Sequence, residues 1–212
     1  IYQKQHITIE NEQLKNENLQ TRYNMLANQI SPHFLFNSLN SLSMLVREKS
    51  NDKALLYIDR LADTFRYMLQ SGQGELTTLS EELRFTEAYL YLLTIRYENK
   101  LFCDIRIEDR YRDWKLPVLS LQPLIENAVK HNSISRTKPL RIAIRTDDGT
   151  LVVSNPLIPK IDETTGTGIG LKNLSSRYLL LTSQQVRIIR TDDAFEVILP
   201  LIEFPNPIKS LS

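Results

Sequence analysis

At Ser71-Gly72-Gln73-Gly74 the chain changes its hydrophobic period. Before this tetrapeptide, apolar residues recur at heptad or three-to-four spacing. After it, helical stretches are interleaved with alternating runs such as Leu140-Arg141-Ile142-Ala143-Ile144-Arg145. The first spacing belongs to amphipathic helices and the second to half-buried strands, so a helical unit must be joined to a mixed one. We place the domain boundary at this tetrapeptide, with units at 1–22, 23–74 and 75–204 and a tail at 205–212.

The stretch from Tyr2 to Arg47 is almost free of helix breakers. Its early apolar residues are sparse (Ile7, Leu14, Leu19, Met25), which predicts a coiled-coil signalling helix over 1–22. Ser50-Asn51-Asp52 makes a polar break with N-cap chemistry. The next helix carries Leu55, Ile58, Leu61, Ala62, Phe65 and Leu69 on one side, with Asp59, Arg60, Asp63 and Arg66 opposite. Alone, such a helical hairpin exposes its apolar stripe. Pairing with a second copy into a four-helix bundle is the expected solution.

Beyond the linker, the pattern predicts a helix from Ser80 to about Glu98, a strand from Leu101 to Ile107, and a helix from Pro117 through His131. A strand from Leu140 to Thr146 then turns at Asp147-Asp148-Gly149 into a second from Leu151 to Asn155. A Pro-rich segment, a helix from Leu171 and two final strands complete the unit. The expected fold class is α+β: helices on one face of a mostly antiparallel sheet, a two-layer sandwich.

Composition excludes several functions. A formal net charge of +1 leaves no field of one sign, so direct nucleic-acid binding is not expected. The single cysteine, Cys103, rules out an intramolecular disulfide and a Cys-based zinc site; it reads as a buried structural thiol in a reducing compartment. No apolar run approaches the ~20 residues of a membrane-spanning helix. The chain lacks an initiator Met, and we expect it to be cut from a longer protein.

Three segments carry chemistry. Gly166-Thr167-Gly168-Ile169-Gly170-Leu171 holds three of the 6 glycines at alternate positions directly before a helix. Alternating glycines admit a ligand close to the backbone, and the helix N-terminus favours anions such as phosphates; a flexible loop is the plainer reading. In Glu126-Asn127-Ala128-Val129-Lys130-His131, residues Asn127, Lys130 and His131 share one helix face. An amide oxygen suits Mg²⁺ and the two basic side chains suit triphosphate oxygens, although a solvated face has the same pattern. In Ser31-Pro32-His33-Phe34-Leu35-Phe36-Asn37, helical geometry puts His33, Asn37 and Asn40 opposite Leu35, Leu39, Leu42 and Val46. His33 is therefore expected to face solvent, either as an incidental surface residue or as a nucleophilic imidazole. Pro32 is expected to bend or open the helix there.

Gln29 to Leu42, Leu116 to His131 and Gly166 to Tyr178, in this order, resemble the LytS/YehU-type sensor histidine kinases. The resemblance extends from about Tyr23 to Pro200. It implies a helical-hairpin phosphoacceptor and dimerisation domain followed by a GHKL (Bergerat-type) ATP-binding domain. ATP with Mg²⁺ would be bound and His33 phosphorylated. Asn127 would coordinate Mg²⁺; Lys130 and His131 would lie toward the phosphates. Gly166, Gly168 and Gly170 would form the hinge of an ATP lid, with Thr167 and Leu171 beside them among the cofactor-binding residues. The implied partners are a second copy of the chain and the receiver domain of a response regulator. The implied location is the cytoplasmic side of a bacterial inner membrane, through an upstream segment.

Two positions depart from the wider pattern. Asn155, in Val153-Ser154-Asn155-Pro156, stands where an Asp would receive the adenine amino group; its carbonyl can accept the same bond without charge. Phe34 stands where many histidine kinases carry an acid after the phosphoacceptor. We therefore expect Asn37 to orient the imidazole, and a base either to come from the nucleotide domain, with Glu126 the candidate, or to be unnecessary. Two other functions compete: a non-enzymatic dimeric scaffold with a degenerate nucleotide domain, and an ATPase driving a conformational cycle.

Overall fold

The computed structural model describes residues 32–70, 76–158 and 169–203. The coiled-coil expectation for 1–22, the linker at 71–75, the glycines at 166 and 168 with Thr167, and the tail lie outside the described residues.

Helix α1 (Pro32–Arg47) starts on proline, whose missing N–H would be unpaired in a first turn anyway. It ends in a Schellman motif: Ser50 N–H bonds Leu45 O, Lys49 N–H bonds Val46 O, and Lys49 takes φ 55°. The chain then turns into α2 (Asn51–Gln70), completing the hairpin. Each helix has two faces to bury. Phe34, Ser38, Ser41 and Leu45 of α1, with Ala54, Tyr57, Leu61, Thr64 and Met68 of α2, are buried in a core shared with α3 (Leu79–Arg96). The stripe read from the sequence is divided: Leu61 lies in that core and Leu42 and Phe65 pack against it, whereas Leu35, Leu39, Val46, Leu55, Ile58 and Leu69 are exposed. Its three-to-four spacing is real, but the buried face is rotated from it, mixing large residues (Phe34, Tyr57, Met68) with small polar ones (Ser38, Ser41, Thr64).

Helix α3 begins one residue before the expected Ser80. Thr78 is its N-cap in a reciprocal capping box with Glu81. Ahead of it, β1 (Leu76–Thr78) pairs antiparallel with β3 (Lys115–Pro117), a two-stranded ribbon. The main sheet contains β2 (Leu101–Arg106), β4 (Leu140–Asp147), β5 (Thr150–Pro156), β6 (Arg187–Arg190) and β7 (Ala194–Pro200). Its order is β2-β4-β5-β7-β6, with β2 and β4 parallel and the other pairs antiparallel. Leu140, Ile142, Ile144, Leu151, Val153, Val197 and Leu199 point into the helical layer formed by α3, α4 (Gln122–His131) and α5 (Ile169–Thr182). The two-layer α+β sandwich is as expected.

One boundary is corrected. The helix expected from Pro117 begins only at Gln122. Pro117 ends β3, and Leu119 adopts φ 55°, incompatible with a continuing helix. The hairpin turn is as read: Asp148 and Gly149 take φ 39° and 73°, the left-handed pair of a tight β-hairpin. Tyr111 Oη accepts the Gly149 N–H at 3.0 Å, and Trp114 packs where a Cβ would stand. Cys103 is a free, half-buried thiol whose pKa burial pushes up to about 12. Among the described residues no helix is long and apolar enough to cross a membrane.

Candidate functional site

A cavity of about 460 Å³ lies where the hairpin meets the sandwich. The first turn of α1 gives it His33 and Phe34. One stripe of α3 gives Tyr89, Leu93 and Arg96, with Tyr97 just beyond, and α4 gives Glu126, Val129 and Lys130. His33 is exposed, whereas Phe34 is buried with its ring centroid 5.4 Å from that of Tyr89 and 6.0 Å from that of Phe65. The aromatic residue following His33 thus fastens the first turn of α1 onto α3 and leaves the imidazole at the cavity.

Glu126 is held from two sides. Tyr89 Oη donates to Glu126 Oε1 at 3.0 Å, and Gln122 Nε2 donates to the same oxygen at 2.9 Å. Burial, then the adjoining carboxylate, raises the Tyr89 phenol well above its ordinary value, so it is a durable donor. Asn37 does not reach His33: among the described residues no hydrogen bond joins them, and Asn37 Nδ2 is buried without a partner.

At 100° per residue, Glu126, Val129 and Lys130 occupy one sector of α4, while Asn127 and His131 occupy the next. Lys130 lies between the sectors and edges onto both. Asn127 and His131 are half-buried and do not line the cavity. Among the described residues no group of three His, Cys, Asp or Glu side chains could hold a metal ion. A single amide oxygen beside two basic side chains instead fits Mg²⁺ carried mainly by phosphate oxygens.

Asn155 is buried at the end of β5, and its Nδ2 donates to Pro156 O at 2.8 Å. It borders a second cavity, of about 600 Å³, with Phe102, Arg141 and Asp193. Among the described residues it is not brought to the first. Gly170 and Leu171 open α5; a Cβ on Gly170 would meet open space, and Leu171 packs partly on the core.

Sequence reasoning missed two positioning residues. Asn132, 1% exposed, donates from Nδ2 to Ala128 O at 2.8 Å and accepts Ile158 N–H on Oδ1 at 2.6 Å. It caps α4 and ties the chain leaving β5 to that helix. Glu82 of α3 is fully buried. Its Oε1 accepts Leu121 N–H at 3.0 Å; its Oε2 accepts Leu119 N–H at 3.0 Å and Tyr67 Oη–H at 2.9 Å. Leu121 precedes α4 and has no side-chain cap of its own, so a carboxylate from α3 serves the N-terminal end. Arg177 of α5 grips the same loop from Nη2 to Leu119 O at 3.0 Å. The Glu-Glu pair at the start of α3 was the available signal: one glutamate caps α3 and the other reaches inward.

Residues 21–101 match the family model described as histidine kinase. The chain is 35% identical over 166 residues to the sensor histidine kinase/phosphatase LytS of Staphylococcus aureus, in strains Mu50 and N315 alike. That match covers 70% of this chain but 28% of the relative, so the chain spans little more than a quarter of the curated relatives' length. Among solved structures, the cytoplasmic segment of histidine kinase QseC overlays with a TM-score of 0.45 at 14% identity, covering 61% of this chain and 78% of that one. The catalytic domain of histidine kinase ThkA gives 0.42 at 16%, covering 59% and 93%. These overlays are loose; the strand order β2-β4-β5-β7-β6 defines the fold.

Proposed function

From a chain that belongs to the histidine kinase family, we propose the phosphoacceptor and ATP-binding portion of a two-component sensor kinase, which transfers the γ-phosphoryl group of Mg-ATP to His33. The observation that carries this reading is the cavity shared by His33 with Glu126 and Lys130. Triphosphate held on the Asn127–His131 sector needs only to cross the Lys130 edge to meet the imidazole.

Phosphoryl transfer asks mainly for positioning and charge neutralisation. A ring nitrogen of His33 forms the N–P bond as the bond from the γ-phosphorus to the β,γ-bridging oxygen breaks. The electron pair leaves with ADP, and Glu126 accepts the imidazole proton. Tyr89 and Gln122 keep that carboxylate at the cavity. Lys130 neutralises phosphoryl oxygens, and Asn127 would hold Mg²⁺ through its amide oxygen, the ion supplying charge neutralisation of the phosphates when bound. Asn37 orients no ring in this arrangement. Asn155 is retained as the acceptor for the adenine amino group, and the 166–171 segment, with Gly166, Thr167 and Gly168, as the lid hinge.

The remaining steps are proposed from the family. The chain would act as a homodimer through the exposed stripes of α1 and α2, and pass phosphate to an aspartate of a response-regulator receiver domain. It would stand on the cytoplasmic side of a bacterial membrane through a segment upstream of the chain. Calorimetry with a non-hydrolysable ATP analogue and Mg²⁺ tests the nucleotide half: Asn127→Ala should weaken Mg-dependent binding at least tenfold. No binding by the unmutated chain would instead favour a scaffold. A Glu126→Gln protein that binds ATP yet fails to phosphorylate His33 supports the base; retained labelling removes it.

A further inference from the structure

We propose that Arg96 is a second catalytic cation of the transfer, neutralising the phosphoryl group as it passes to His33; the assignment rests on reading His33 as the phosphoacceptor. Arg96 ends α3 on the stripe that carries Tyr89 and Leu93 and lines the cavity with His33, Glu126 and Lys130. It is half-buried, its guanidinium carbon 5.3 Å from the Tyr97 ring centroid. Among the described residues it makes no ion pair with a carboxylate. A cation taken partly out of water without a close ion-pair partner among the described residues is costly, and a transient anion in the cavity would supply one.

The cavity's charges divide accordingly. Glu126 Oε1 is held by Tyr89 and Gln122; Lys130 lines the cavity on the α4 side and Arg96 on the α3 side, so that the two cations flank a group in transit. The charge of Arg96 already acts in that space. Burial raises the Tyr57 and Tyr89 phenols, and Arg96 is among the influences that draw both back. The Tyr97 ring lies 5.3 Å from the guanidinium carbon, and the planar fork of an arginine can meet two phosphoryl oxygens at once, a geometry that lysine cannot reproduce. Arg96 supplies no proton or electron pair; its contribution is charge that matters most when the phosphoryl group is between donor and acceptor. A merely structural Arg96, caught by the helix dipole at the end of α3, would support stability and leave the transfer rate untouched.

The test measures two quantities on the same proteins: the dissociation constant for an ATP analogue, and the initial rate of acid-labile labelling of His33 from γ-labelled ATP. Arg96→Gln removes the charge, Arg96→Met removes it while keeping the apolar stem on Tyr97, and Arg96→Lys restores charge without the fork. The expected order of rates is wild type, then Lys, then Gln and Met. The last two should be slowed about 10²–10³-fold, the scale of one preorganised charge-stabilising group, with ATP affinity within threefold of wild type. A wild-type rate in Arg96→Met, or a rate loss matched by an equal loss of ATP affinity, overturns the assignment. A wild-type protein that labels no residue, or labels one other than His33, overturns the underlying reading as well, so the two failures are told apart by the unmutated control.

Discussion

Tyr89 of α3 and Glu126 of α4 are joined by a 3.0 Å hydrogen bond across the floor of the cavity that holds His33. Removing it with Tyr89→Phe should let the carboxylate drift while leaving packing intact. We expect a roughly tenfold slower phosphorylation of His33, the lower end of what a positioned acid–base group contributes, with unchanged ATP affinity. Because the Tyr89 phenol is raised, its contribution to stability is complete below the ordinary tyrosine pKa and is lost only as pH rises through the higher folded value. The wild-type and Tyr89→Phe pH–rate profiles should therefore run parallel from pH 6 to 9. A slope difference in that window would contradict the account.

Glu82→Ala should be among the most damaging single changes. It strands the N–H groups of Leu119 and Leu121 and the Tyr67 hydroxyl in a buried site. The cost should be about 3–5 kcal/mol in denaturant unfolding. Burial raises the Glu82 carboxyl even against those donors. The protonated form is therefore favoured by the fold, a contribution fully present below the unfolded carboxylate pKa and lost as pH rises through the folded value. The stability of wild type relative to Glu82→Gln should consequently fall as pH rises above the ordinary carboxylate range. A flat difference would mean that the pKa of Glu82 is not raised in the fold.

The hairpin's outward stripe should be separable from its inward one. Leu39→Glu and Val46→Glu lie on exposed positions of α1, and we expect them to yield folded monomers by sedimentation and an unchanged circular dichroism spectrum. Met68→Ala, buried against α3, should instead lower stability by about 2–5 kcal/mol. A dimer persisting in both glutamate variants would place the interface elsewhere.

Gly149→Ala tests the hairpin. Its φ of 73° and the Trp114 ring atom 3.3 Å from a built Cβ both oppose a side chain, so thermal unfolding should register a loss of about 1–2 kcal/mol from the left-handed backbone alone. The β4–β5 register would survive, and phosphorylation with it.

Local signals carried much of this fold. The Asp147-Asp148-Gly149 turn, the alternation of β4 and the glycine-led helix α5 were legible because each rests on backbone chemistry within a few residues. The late start of α4 was not, since the loop at Leu119 is shaped by a carboxylate 37 residues earlier in the chain. The β1–β3 ribbon has only three residues per strand, too few to establish a period. On α1 the apolar stripe was legible but its exposure was not, because Ser38 and Ser41 are buried in hydrogen bonds with Tyr57 of α2 while Leu35 and Leu39 stay outside. At the site, His33, Glu126 and Lys130 were found from the sequence and come together. Tyr89 and Arg96 were not, being ordinary members of an amphipathic helix until α1 and α4 close over them.

Incubating the chain with γ-labelled ATP and Mg²⁺, then mapping the label under base-stable conditions, bears most directly on His33. One acid-labile phosphoryl group per chain at most is expected, located on His33 and absent from a His33→Gln protein that still binds ATP. Labelling of equal extent in that protein, or a phosphate found on His131 instead, would contradict that expectation.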